Sequence, residues 1–388
     1  MIIDLPSTTS ATINKTMVDL RERGGTVALG RVLTLVIVTE ESGSEAPIEA
    51  ANAASFEHPC RVIVVAQGTR RGAPRMDAQI RVGGDAGASE VIVLRLFGAM
   101  AEQGASVVIP LLLADAPVVS WWPHSAPDDP AHDPIGELAQ RRITDAAAAK
   151  RPLAALRSRR GVHQPGDTDL AWTRITTWRG LLAAALDQPP HDKVLAAVVS
   201  GAPDSASTDL LAGWLALQLK CPVQRTLKGK AGSGMYSVLL ERRSGTIRLE
   251  RPDRQTATLT MEHQPQRSLA LPRRSLRDCL SEELRRLDDD EVYAAVLTKG
   301  LDLVSVKGSA DRPSDRTSAV PRVGADADTE STRPAASTRR AVSTGRAVST
   351  GRAVSAGRAA SIDGAPQNGS MRKKGRPQTA ASNTGDDR

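Results

Sequence analysis

Residues able to do chemistry are sparse in this chain and do not assemble into a familiar constellation. No GxSxG elbow, HExxH pair or Walker A sequence occurs, so activated-serine, zinc-hydrolase and P-loop chemistry have no anchor. Gly229-Lys-Ala-Gly232-Ser-Gly234 is glycine-rich and basic, and its backbone N–H groups could cradle a phosphate. It joins two expected strands with no helix behind it, so a plain hairpin loop is the favoured reading. His124 and His132 share a loop with Asp128, Asp129 and Asp133, which a solvated loop explains better than a metal site. His58 and Cys60 lack a second ligand pair, and no metal or cofactor is implied. Cys60, Cys221 and Cys279 are odd in number and far apart, which argues against a disulfide framework. Cys279 falls on an apolar helical stripe, and Cys221 is the better candidate for an exposed thiol.

The strongest grouping is aromatic and charged. Trp121 and Trp122 end a strand, so their rings point to opposite faces and one is expected at least partly at the surface. Arg141, Arg142 and Asp145 follow, then Asp167, Asp169 and Arg174, with Trp178 and Arg179 one turn on. Trp and Arg are the types most enriched at interface hot spots, so these residues are candidates for binding a partner. The competing reading makes the Trp residues core and the Arg–Asp pairs structural.

Positioning such residues needs a scaffold, and apolar periodicity supplies one. Continuous apolar runs at 31–38 and 61–66 read as strands buried on both faces, with a helix over 46–57 between them. Further strands are expected at 76–82, 90–97 and 117–122, and helices at 10–23, 135–142, 152–159 and 170–186, the last capped by Asp167 or Asp169. Gln188-Pro-Pro-His191 marks a boundary. Beyond it the pattern predicts a strand at 194–200, a helix at 207–219 and strands at 223–227, 236–241, 246–250 and 256–262. Helices follow at 275–287, with Ser275 and Asp278 as a capping box, and at 290–297. The fold class is therefore α/β: two mixed-sheet domains packed together, at 1–187 and 188–308, followed by a disordered tail at 309–388. That tail repeats Arg-Ala-Val-Ser-Thr-Gly at Arg340 and Arg346 and offers no apolar period with which to build a core.

The formal charge of +7 is uneven. Fourteen Lys and Arg against eight Asp and Glu lie after residue 308, leaving 37 against 36 before it. A nucleic-acid binder acting through the tail is the alternative reading, weakened by the absence of interleaved aromatics for base stacking. No apolar segment reaches the roughly 20 residues of a membrane span, and the chain is expected to be cytoplasmic.

Pro110-Leu-Leu-Leu, Pro117-Val-Val-Ser-Trp-Trp-Pro123, Arg141-Arg-Ile-Thr-Asp145 and Gly166-Asp-Thr-Asp-Leu-Ala-Trp-Thr-Arg174 resemble the motifs of the glucose-6-phosphate dehydrogenase assembly protein (OpcA) family. His58-Pro-Cys-Arg-Val-Ile-Val-Val65 and Ser281-Glu-Glu-Leu-Arg-Arg-Leu-Asp288 agree, and the likeness spans about residues 1 to 300. It implies a non-enzymatic accessory protein whose partner is glucose-6-phosphate dehydrogenase and which promotes that enzyme's assembly or activation. Output would be flux into the oxidative pentose phosphate pathway. The resemblance carries no catalytic residues, and the sequence does not set the chain's own oligomeric state.

Overall fold

The computed structural model describes residues 1–24, 30–83 and 90–307. The tail expected at 309–388, with its repeat, lies outside the described residues. The first sheet contains β1 (Ile2–Leu5), β2 (Leu33–Glu40), β3 (Cys60–Gln67), β4 (Arg75–Arg81), β5 (Glu90–Phe97), β6 (Val118–Trp122), β7 (Arg141–Thr144) and β8 (Asp167–Asp169). Their order is β1-β4-β5-β3-β2-β6-β7-β8. From β5 to β8 every neighbouring pair is parallel, while β4 and β1 add antiparallel strands at one edge. Taken in chain order, the six parallel strands lie 3-2-1-4-5-6, the order of dinucleotide-binding sheets.

Both faces of this sheet are covered. Helix α1 (Ser10–Gly24) and the short α3 (Gly104–Val108) cover one face, packing with Val36, Ile63, Ile92 and Trp122. On the other, α2 (Glu45–Ala54) packs with Leu35, Val62, Val93 and Trp121. Strands enclosed this way are apolar along their whole length, which is why β2 and β3 read as unbroken hydrophobic runs.

Beyond β8 come α5 (Leu170–Thr173) and α6 (Thr176–Leu186), preceded by α4 (Pro152–Arg160). The second sheet is formed by β9 (Val194–Gly201), β10 (Val223–Leu227), β11 (Met235–Arg242), β12 (Gly245–Glu250), β13 (Thr256–Met261), β14 (Arg267–Ala270) and β15 (Val304–Lys307), in the order β14-β13-β12-β11-β9-β10-β15. Burial in β11 to β13 largely alternates, as it does in a sheet with one wet face. Helix α7 (Ala206–Leu219) lies on the dry face with α9 (Glu291–Thr298).

The chain passes between the two sheets more than once. Leu156 of α4, Trp172 of α5 and Trp178 and Leu182 of α6 belong to the core under the second sheet. Conversely α8 (Leu276–Arg285), which follows the second sheet's hairpins, returns to the first, where Cys279, Leu280 and Leu284 pack beside α2. Each buried leucine contributes about 1.5–3 kcal/mol. The expected capping box opens α8: Ser275 accepts from the Asp278 amide, and Asp278 accepts from the Ser275 amide.

Three expectations are corrected. The helix expected at 135–142 is a short 3-10 turn, Gly136–Leu138, followed by strand β7. The helix expected at 170–186 is two pieces, with Asp169 capping the first through the Ala171 amide. The loop at Gly229 to Gly234 is no hairpin, because β10 and β11 are not neighbours: both pair with β9, one on each side.

Candidate functional site: a buried charge network and an arginine-lined cleft

The residues singled out in the sequence come together, but inside the molecule. Trp121 and Trp122 do point to opposite faces, and both are buried. The expectation that one is presented at the surface fails because α2 and α8 cover one face of β6 and the α1 side covers the other. Arg141, Arg142, Asp145, Asp167 and Asp169 are buried as well.

Their charges are paired across the fold. Arg141 on β7 meets Glu283 of α8 at 2.6 Å and donates to the Asp288 carbonyl at 2.6 Å. Arg142 donates to Asp167 at 2.5 Å and, through Nη2, to the Pro165 carbonyl. Asp169 accepts from Thr144 at 2.6 Å, from the Ala146 and Ala171 amides, and from Arg159 at 3.2 Å. Asp145 holds Arg174 in a two-pronged pair at 2.7 and 2.6 Å, which raises the Arg174 pKa despite its burial. Arg174 presents a fork matched to its carboxylate, while Arg141 and Arg142 divide their donors between a carboxylate and backbone carbonyls, pairings that make burial of charge tolerable. Trp172 donates to Asp290 at 2.7 Å while Arg179 lies 3.7 Å over its ring. Glycine is required beside this network: a Cβ at Gly166, where φ is +87°, would sit 2.2 Å from the Gln140 carbonyl oxygen.

Of the concave regions among the described residues, two bear on these candidates. One is the crevice at the carboxyl ends of β2, β3 and β6, where the strand order reverses and a dinucleotide would lie in this topology. It measures about 760 Å³ and is lined by Thr39, Glu40, Gly43, Gln67, His124 and Lys150. The residues do not fit a dinucleotide. Glu40, a carboxylate that would repel a pyrophosphate, lines the wall together with Lys150, while Glu45 in the first turn of α2 is paired with Arg81. A single glycine, Gly43, stands where a three-glycine turn is needed, and β3 ends in neutral Gln67 rather than a ribose-binding acid.

The other is a cleft of about 560 Å³ beside the second sheet, whose walls include Arg174, Trp178, Ser207, Gly232, Arg251 and Arg273. The glycine-rich loop crosses the end of β9 here and is tied down at three points. The Lys228 amide donates to the Gly201 carbonyl at 2.8 Å, the Ala202 amide to the Gly234 carbonyl at 2.8 Å, and the Gly232 amide to Asp204 at 2.9 Å. A Cβ at Gly201 would meet the Gly234 oxygen at 2.8 Å, so the loop and the β9–α7 turn pack backbone on backbone. Sequence reasoning chose the Gly229 loop and Arg174 separately; Arg251 and Arg273 carried no local signal.

Among the described residues no group of three or more His, Cys, Asp or Glu could hold a metal, and no helix is long and apolar enough to cross a membrane. The Asp129–His132 contact, 2.8 Å, is an isolated surface pair. Cys60 and Cys279 are buried, and burial pushes the Cys279 thiol up to about 11, which suppresses the reactive thiolate. Cys221 is half-buried.

Fold and site together define a two-sheet α/β protein with dinucleotide-binding strand order but without a dinucleotide cradle. Residues 51–161 match the glucose-6-phosphate dehydrogenase subunit N-terminal domain, and residues 165–297 match the C-terminal domain of the same subunit. The chain belongs to the glucose-6-phosphate dehydrogenase assembly protein (OpcA) family. A search of curated proteins finds no match. Among solved structures it is similar to an NAD-binding oxidoreductase from Klebsiella pneumoniae, with 10% identity and a TM-score of 0.36, over 71% of this chain and 96% of that one. It is also similar to a glucose-6-phosphate 1-dehydrogenase from Mycobacterium avium, with 10% identity and a TM-score of 0.36, over 72% and 94%. Likeness at these values assigns no activity.

Proposed function

We propose that this chain is a non-catalytic cytoplasmic subunit that associates with glucose-6-phosphate dehydrogenase and promotes its assembly or shifts it toward an active state. The partner is taken from the family. The observation that supports a non-catalytic role is the crevice, where a single glycine, Gly43, and the Glu40 carboxylate stand in the place of a pyrophosphate cradle. Within this reading Trp121, Trp122, Arg141, Arg142, Asp145, Asp167 and Asp169 act on a partner by fixing the surfaces above them, while Arg174 reaches a cleft wall itself. No observation favours the nucleic-acid alternative.

An accessory protein can shift its partner's conformational equilibrium only by its differential affinity for the two states. Dehydrogenase activity at fixed substrate should therefore rise saturably as this chain is added, and mass photometry of the mixture should show a species heavier than either component. Unchanged kinetics together with no complex on size exclusion would refute the proposal.

A further inference from the structure

We infer that the arginine-lined cleft is a binding site for a phosphoryl group carried by a small metabolite. The inference is independent of the dehydrogenase partnership and concerns this chain alone.

Charge accounting in the cleft leads to it. Arg251 is buried, with 6% of its surface exposed. It donates to the Leu271 carbonyl at 3.0 Å and to the Met235 carbonyl at 3.3 Å, and lies 5.2 Å from the centre of the Trp178 ring. Its Nε has no acceptor, and among the described residues no carboxylate comes within ion-pair distance of it. Carbonyls and a ring satisfy donors but do not neutralise a guanidinium, and a buried charge without a counter-charge is costly. Arg273, exposed at the mouth, likewise has no side-chain acceptor among the described residues. Arg141, Arg142 and Arg159, the buried arginines of the network described above, each face a carboxylate; Arg251 faces none and lies in the field of Arg273. Burial and the neighbouring arginines push both below the ordinary guanidinium value.

Backbone donors converge on the same space. The cleft reaches the amino end of α7, where Ser205 caps the Thr208 amide and the amides of Ala206 and Ser207 have no acceptor among the described residues. A fourteen-residue helix presents positive potential at that end. The one carboxylate on the wall, Asp204, already accepts from the Gly232 amide with both oxygens at 2.9 Å. Arg174 is already paired with Asp145, so two arginines, Arg251 and Arg273, against one carboxylate, Asp204, leave a net positive cleft. A phosphoryl dianion has the charge to offset Arg251 and the acceptors to take Arg273 and the helix amides together.

The test is thermal unfolding and titration calorimetry of the full chain with inorganic phosphate, glucose 6-phosphate and glucose, at ionic strength matched with sodium chloride. Saturable stabilisation by glucose 6-phosphate but not glucose is expected. Equal affinity for inorganic phosphate would make free phosphate the ligand, whereas tighter binding of the ester would make it a sugar phosphate. Arg273→Glu, an exposed position where the fold should persist, should weaken binding at least ten-fold. Arg251→Met, its folding verified by circular dichroism, should do the same. Absence of any anion effect beyond the chloride control, or an equal effect in folded Arg273→Glu, overturns the inference.

Discussion

At the scale of single residues, the molecule separates groups that are chemically available from groups that are sealed. His163 belongs to the second kind. It lies edge-on to Tyr293, 5.7 Å between ring centres, with its Nδ1 3.9 Å from Asp167. Burial dominates and pushes its pKa below the ordinary imidazole value, with Asp167 opposing and Arg142 assisting. The unfolded chain then binds a proton more readily than the folded one, so stability rises with pH between the folded value and about 6.5. A melting temperature that falls as pH drops from about 7.5 toward 5.5 is expected, with a shallower slope in His163→Gln. Equal slopes in the two proteins would remove His163 from the account.

At the scale of elements, α8 is the joint whose loss should be felt most. Glu283 takes Arg141 through one oxygen and the Thr173 hydroxyl through the other, and both charged side chains are buried. Glu283→Ala leaves a buried guanidinium unpaired and should cost about 3–5 kcal/mol in urea unfolding. Arg141→Met combined with Glu283→Leu should recover much of that loss; additive losses would show that the pair is not coupled. The same joint explains what the sequence concealed. Strands β2, β3 and β5 were legible because enclosure on both faces makes them continuously apolar. Strands β7 and β8 were not, since Arg-Arg-Ile-Thr and Asp-Thr-Asp are short and polar, and their burial depends on partners as distant as Glu283, 142 residues away. The crossing loop was misread for a related reason. Nothing local in residues 228–234 reveals that β9 inserts between the strands they join. The candidate residues do come together in space, and their burial agrees with the competing reading that made the Trp residues core and the Arg–Asp pairs structural.

At the scale of the whole molecule, charge divides the chain. The excess of basic residues lies beyond residue 308, with the remainder at 37 Lys and Arg against 36 Asp and Glu. If the proposed function holds, a chain ending at residue 307 should act on dehydrogenase activity as the full chain does, and salt should affect that truncated form less than the full chain. Loss of the effect on truncation would instead make the tail the docking element.

The passage of the chain between sheets also sets a timetable for synthesis. Leu35, Val62 and Val93 leave the ribosome early, yet the helix that shares their face ends only at Arg285. Between the end of β5 at Phe97 and the start of α8 at Leu276, this greasy surface has only α2 and, later, Leu170 of α5 beside it. A ribosome stalled before residue 276 should therefore display a nascent chain whose first sheet remains protease-sensitive, however complete its strands.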